Sequence, residues 1–129
     1  MIYLDSSVVL AYLLVEDRRP PESLWADVLT SSRLLEYEVW CRIHARTLAP
    51  SHGEATRQLL SRISFVEMSP LVLGRVLEPF PEALRTLDAL HLASIEFLRG
   101  RRIDVRLATY DQRMSAVAQA MAIPLVTLS

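Results

Sequence analysis

The sequence predicts an α/β protein whose parallel sheet is covered on both faces. Short strand-like runs, Ile2-Tyr3-Leu4, Ile63 to Glu67 and Val105 to Thr109, alternate with longer segments of helical character. Prolines at Pro20, Pro21, Pro50, Pro70, Pro79, Pro81 and Pro124 punctuate the chain between elements. A length of 129 residues, with 51% apolar and 22% charged residues, fits one compact domain over 1–129 with one core. A mean hydropathy of +0.23 is high for such a domain and points to an extra buried surface, such as a partner interface.

The elements follow in order. Ile2-Tyr3-Leu4 reads as a buried strand, and Ser6 or Ser7 as the cap of a helix reaching about Val15. After a polar loop, Pro21 or Glu22 opens a second helix through about Leu29. Ser31-Ser32-Arg33-Leu34 reads as a very short strand or a loop. A helix from about Leu35 to Leu48 is expected to stop before Pro50. Ser51 then caps the next helix, to about Arg62, with Glu54 completing a capping box. Ile63 to Glu67 is a strand, and Ser69-Pro70 starts a short helix. Glu78 to Pro81 is a loop. Thr86 caps a strongly apolar helix to Leu98, with Gly100 as its stop. Val105 to Thr109 is a strand, Asp111 to Met121 a helix and Leu125 to Thr127 a last strand.

Several classes of protein are excluded or disfavoured. The longest apolar run, Val8 to Val15, has eight residues against the ~20 that span a bilayer, so no membrane role is expected. The start of the chain lacks a basic region and carries an early acid, which disfavours a secretory signal. Cys41 stands alone, which rules out an intrachain disulfide and fits a cytoplasmic location. All fourteen basic residues are Arg, which removes chemistry that needs a lysine. The glycines Gly53, Gly74 and Gly100 cannot form a dinucleotide loop, and no nucleophile-elbow serine motif occurs. A net charge of −1 means that any nucleic-acid binding must be local.

In parallel α/β sheets function sits at the carboxyl ends of the strands. Asp5 directly follows the first strand there, Asp111 follows the Arg106 to Thr109 strand, and Asp88 lies in the first turn of the apolar helix. Taken singly, Asp88 reads as a helix-dipole partner and Asp111 as an N-cap. Asp5 is harder to place that way, because an acid ending a buried strand is costly to desolvate. Glu38 shares a helix face with Leu34, Ala45 and Ala49, whereas Glu36 shares the opposite face with His44 and Thr47. Glu38 is therefore the site candidate and Glu36 a solvated residue, with an Arg42 ion pair as the competing role for Glu38. Clustered carboxylates need cations to stay ionised, and all-oxygen donors suit Mg2+ or Mn2+. Such ions orient and acidify water, which points to metal-assisted phosphodiester hydrolysis. His91 reads as a buried, hydrogen-bonded core histidine. A non-catalytic α/β protein-binding module is the alternative reading.

Four segments in order, Leu4-Asp5-Ser6-Ser7, Ser31-Ser32 with Glu38-Val39, Thr86-Leu87-Asp88-Ala89-Leu90-His91-Leu92-Ala93 and Thr109-Tyr110-Asp111-Gln112-Arg113, resemble the PIN-domain family. The likeness is specifically to the VapC-type toxins of bacterial toxin–antitoxin pairs. It implies a three-layer α/β/α fold with a short, mostly parallel central sheet. It also implies an endoribonuclease in which Asp5, Glu38, Asp88 and Asp111 hold Mg2+ or Mn2+ and act on RNA. Ser7 and Thr109 resemble the small hydroxyls that orient such acids or bind phosphate, and Arg113 resembles a basic residue near the substrate. A VapB-type antitoxin and a homodimer are the implied partners.

Overall fold

The computed structural model describes residues 1–128. Four strands form one sheet: β1 (Ile2–Leu4), β2 (Leu29–Ser32), β3 (Ile63–Val66) and β4 (Arg106–Ala108). Their order is β3-β2-β1-β4, and every pair is parallel. Six helices flank it: α1 (Ser6–Leu13), α2 (Leu34–Ala45), α3 (Ala49–Leu60), α4 (Pro70–Arg75), α5 (Thr86–Gly100) and α6 (Gln112–Ala120).

The alternation of side chains along β1 divides the core in two. Ile2 and Leu4 face one cluster with Val8 and Val9 of α1, Leu35, Val39 and Ile43 of α2, and Leu59 and Leu60 of α3. Tyr3 faces the other, with Val72 of α4, Leu92 and Ile95 of α5, and Met114 and Val117 of α6. This is the expected three-layer α/β/α arrangement, with three helices on each face. Because β2 and β4 flank β1, the chain leaves β1 for one side first and reaches the other only with β4. The topological switch point thus lies between the carboxyl ends of β1 and β4, where the fold opens a crevice.

Several elements differ from the sequence expectation. The helix foreseen from Pro21 to Leu29 is a single 3-10 turn, Glu22–Ala26, because Leu29 already belongs to β2. Ser31 and Ser32 form the end of that strand and are fully buried. Thr30 and Ser31 can be buried because their hydroxyls donate to carbonyls of neighbouring strands, Ser64 O and Leu4 O, at 2.7 Å each. α2 stops before Pro50 as expected, but short of Leu48. That helix stops at Ala45, the chain reverses at Thr47 (φ 52°), and Pro50 sits in the first turn of α3. No capping box forms there, since Leu48 is the cap residue and the Ser51 hydroxyl donates back to Leu48 O.

The remaining corrections concern helix ends. Asp5, not Ser6 or Ser7, takes the cap position of α1, and its side chain makes no capping bond. The helix ends at Leu13, short of Val15, which takes φ 52°. Thr86 is the first residue of α5, with Arg85 at the cap position. Gly100 closes that helix in ordinary geometry, and the reversal falls on Arg102 at φ 63°. Leu125 to Thr127 yields only one parallel bridge, Leu107 to Leu125. Among the described residues no helix is long and apolar enough to cross a membrane.

Leu92 is completely buried against the second cluster, so Leu92→Ala is expected to cost about 2–5 kcal/mol in urea denaturation. Leu77, 87% exposed, is expected to tolerate alanine within about 0.5 kcal/mol.

Candidate active site

A cleft of about 470 Å³ opens at the switch point. Asp5, Glu38, Asp88 and Asp111 all line it, so the fold brings the four predicted acids to one place. Each arrives from a different element. Asp5 is the residue after β1, and its backbone N–H still donates to Ala108 O of β4 at 3.0 Å. Glu38 projects from α2, Asp88 from the first turn of α5, and Asp111 from the cap position of α6.

Asp5 is only 4% exposed, and hydroxyls satisfy it. Its Oδ2 accepts from Ser7 Oγ at 2.7 Å and from Thr109 Oγ1 at 2.8 Å. Ser7 Oγ in turn accepts from Tyr110 N, and Thr109 Oγ1 from Asp111 N, both at 3.0 Å. The two hydroxyls therefore clamp the loop after β4 onto the carboxylate after β1. Asp111 is a true N-cap as well as a cleft residue: Oδ1 accepts from Met114 N at 3.0 Å. Its Oδ2 lies 3.9 Å from Arg85 Nη2.

Asp88 differs from the others. Its Oδ2 is buried and has no hydrogen-bond partner among the described residues; Arg85 Nε stands 3.7 Å away. Burial first, and then the negative charges of Asp111 and Asp5, hold its carboxyl above the ordinary range, against the pull of Arg85 and His91. Among the described residues no three acid, histidine or cysteine groups already converge at ion-ligand spacing. The carboxylates share one cleft rather than one point, the arrangement that mutual repulsion favours.

Glu38 is held from the core side. Its Oε1 lies 2.6 Å from His91 Nε2, and Ser6 Oγ donates to Oε2 at 3.3 Å. The competing partner Arg42 lines the cleft but makes no ion pair with Glu38 among the described residues. Glu36 pairs instead with half-exposed Arg33 at 3.7 Å, as a solvated residue would. Burial depresses the His91 pKa, while the Glu38 hydrogen bond and charge, with Asp5 and Asp88, outweigh it and carry the imidazole above its ordinary value.

Arg113 is exposed on the first turn of α6 and does not line the cleft. The cationic lining comes from Arg18, Arg42 and Arg85. Arg18 Nη1 donates to Tyr110 O, and its guanidinium stacks 5.1 Å from the Tyr110 ring. Position relative to a motif pointed to Arg113, but α6 turns that residue outward. Arg85 carried a signal, since it directly precedes the apolar helix that bears Asp88.

A parallel three-layer α/β/α fold with a carboxylate-lined crevice at its switch point defines the class of protein. The PIN domain family matches residues 2–120, and the chain belongs to that family. It is 32% identical to ribonuclease VapC46 of Mycobacterium tuberculosis strain H37Rv, over 99% of this chain and 98% of that protein. Ribonuclease VapC35 of the same strain is 28% identical, over 98% of this chain and 96% of that one. The crystal structure of the M. tuberculosis toxin VapC20, a sarcin–ricin loop cleaving toxin, shares the fold. Its TM-score is 0.64 at 18% identity, covering 90% of this chain and 94% of that one.

The Asp88 environment sets a sign for pH dependence. A carboxyl whose folded pKa is raised binds more protons folded than unfolded, so its contribution to stability is lost as pH rises through the raised value. In metal-free buffer, the stability of Asp88→Asn relative to the parent is expected to climb as pH rises from about 4 to about 7. Urea denaturation at several pH values reads this; a flat difference contradicts it.

Proposed function

We propose that this chain is a metal-dependent endoribonuclease toxin that hydrolyses RNA phosphodiester bonds. The observation that carries the reading is the crevice itself. Four carboxylates from four elements line it, and one of their buried oxygens lacks a partner among the described residues. Oxygen-only donors of this kind fit a hard divalent cation, Mg2+ or Mn2+. A non-catalytic binding module has no use for an unsatisfied buried carboxylate oxygen, which costs free energy without return.

Asp5, Asp88 and Asp111 would hold the ion, with Glu38 joining directly or through water. A bound Mg2+ or Mn2+ supplies charge that offsets the phosphoryl oxygens and lowers the pKa of water. The chain supplies the rest. Ser7 and Thr109 fix the plane of Asp5 by occupying Oδ2, which leaves Oδ1 for the cleft. The Met114 N–H fixes Asp111 through Oδ1, which leaves Oδ2. Arg18, Arg42 and Arg85 provide charge-assisted donors for the phosphates on either side of the scissile bond.

The same reading makes the 129 residues one domain, acting in the cytoplasm and restrained by a VapB-type antitoxin. The family names of its relatives support that partner and an RNA substrate. A homodimer completes the proposal.

Purified protein incubated with total cellular RNA tests it. Cleavage with Mg2+ or Mn2+ is expected to vanish in EDTA, and Asp5→Asn or Asp111→Asn should lower the rate at least about a hundredfold. Cleavage that persists in EDTA and in both variants would overturn the reading.

A further inference from the structure

We propose that His91 is the positioning residue for Glu38, with Tyr3 as its anchor. The proposal deepens the nuclease reading, on which its consequence for activity rests. The geometry behind it can be tested independently.

Tyr3 and His91 are both completely buried. Tyr3 lies at the middle of β1, and its hydroxyl accepts from the Ser32 N–H at 3.0 Å. The same hydroxyl lies 2.7 Å from His91 Nδ1, and His91 Nε2 lies 2.6 Å from Glu38 Oε1. A continuous line of hydrogen bonds thus runs from the end of β2, through the sheet and α5, to an acid on α2. The two rings meet edge to face, with centroids 5.7 Å apart. Both ring nitrogens are engaged, so the imidazole cannot rotate without breaking a buried bond.

Partner chemistry fixes the direction of the last bond. An ionised carboxylate only accepts, so the proton lies on His91 Nε2 whatever the charge of the ring. A buried histidine needs a partner at each ring nitrogen, for which a carbonyl or a hydroxyl suffices, and Tyr3 provides the one at Nδ1. The second bond goes instead to Glu38, the one of the four candidate acids that a long, flexible side chain carries. It holds Oε1 toward the core and leaves Oε2 toward the cleft, where Ser6 Oγ donates to it. Without that bond Glu38 is free to swing to Arg42, one helical turn further along α2. Asp88 and His91 also share one face of α5, so one rigid helix places both a candidate ligand and the group that orients another.

Two measurements decide the proposal. In 15N-labelled, metal-free protein, the His91 Nε2 proton is expected as a downfield imidazole resonance protected from solvent exchange. It should move or disappear in Glu38→Gln and hold its place in Asp111→Asn. In RNA cleavage with Mn2+, His91→Leu and Tyr3→Phe are expected to lower kcat about tenfold or more, with KM changed less than about twofold. The Mn2+ concentration for half-maximal rate should rise with them. His91→Gln, which offers an N–H donor at a similar reach, should restore most of the rate. Tyr3→Phe keeps the ring and serves as the probe if His91→Leu fails to fold. An exchanging imidazole proton, a resonance indifferent to Glu38→Gln, or variants with parental kcat and Mn2+ dependence would each overturn the proposal. A parent protein that cleaves no RNA counts against the nuclease reading alone, and the resonance still decides the positioning claim.

Discussion

A carboxylate that ends a buried parallel strand has to be stabilised by its surroundings, and at Asp5 two hydroxyls do so. Ser7 comes from the helix that follows the same strand, and Thr109 from the loop after β4. Each hydroxyl also accepts a backbone N–H of that loop, at Tyr110 and Asp111. The bonds that offset the desolvation of Asp5 thereby fix the β4–α6 junction, the cap of α6 and the placement of Asp111. Removing the acid would leave these donors facing an incomplete site, so local structure and chemistry here share one network.

The other half of the site follows from α5. This helix is apolar on the side that packs against Tyr3 and Leu107, so the core determines its depth. Its first turn then sets Asp88 within the field of Asp5 and Asp111, where burial and like charge both disfavour ionisation. His91, one turn on, reaches the opposite wall through Glu38. Buried clusters pack against both faces of the sheet, and the walls of the crevice grow from them. The arginines at its margin lie on loops and exposed helix faces, where nearby charge can be rearranged at little cost.

Much of this was legible in the residues. Apolar triplets such as Ile2-Tyr3-Leu4 declare buried strands, and acids immediately after such strands declare a sheet mouth. The face of Glu38, distinguished from Glu36 by helical periodicity, was legible for the same reason. What escaped depends on tertiary partners. Ser31-Ser32-Arg33-Leu34 reads as a very short strand or a loop, and the strand is decided only when the carbonyls of β1 and β3 accept the hydroxyls of Ser31 and Thr30. The Ser51 and Glu54 pair has capping spacing, yet the chain enters α3 three residues earlier because Pro50 suits a first turn. His91 read correctly as buried and bonded, but its partners are 88 and 53 residues away in sequence, beyond any local pattern. Arg113, read from its place in the Thr109 to Arg113 segment, lies exposed on α6 and outside the cleft lining, which helix periodicity alone did not foretell.

The central claim is that these acids hold one hard cation at the switch point. Crystals grown with Mn2+ and measured for anomalous scattering address it most directly. The account predicts a peak in the crevice bounded by Asp5, Asp88 and Asp111, with Asp88 Oδ2 among its ligands. A peak bound elsewhere on the chain, or an empty crevice at saturating Mn2+, would contradict it.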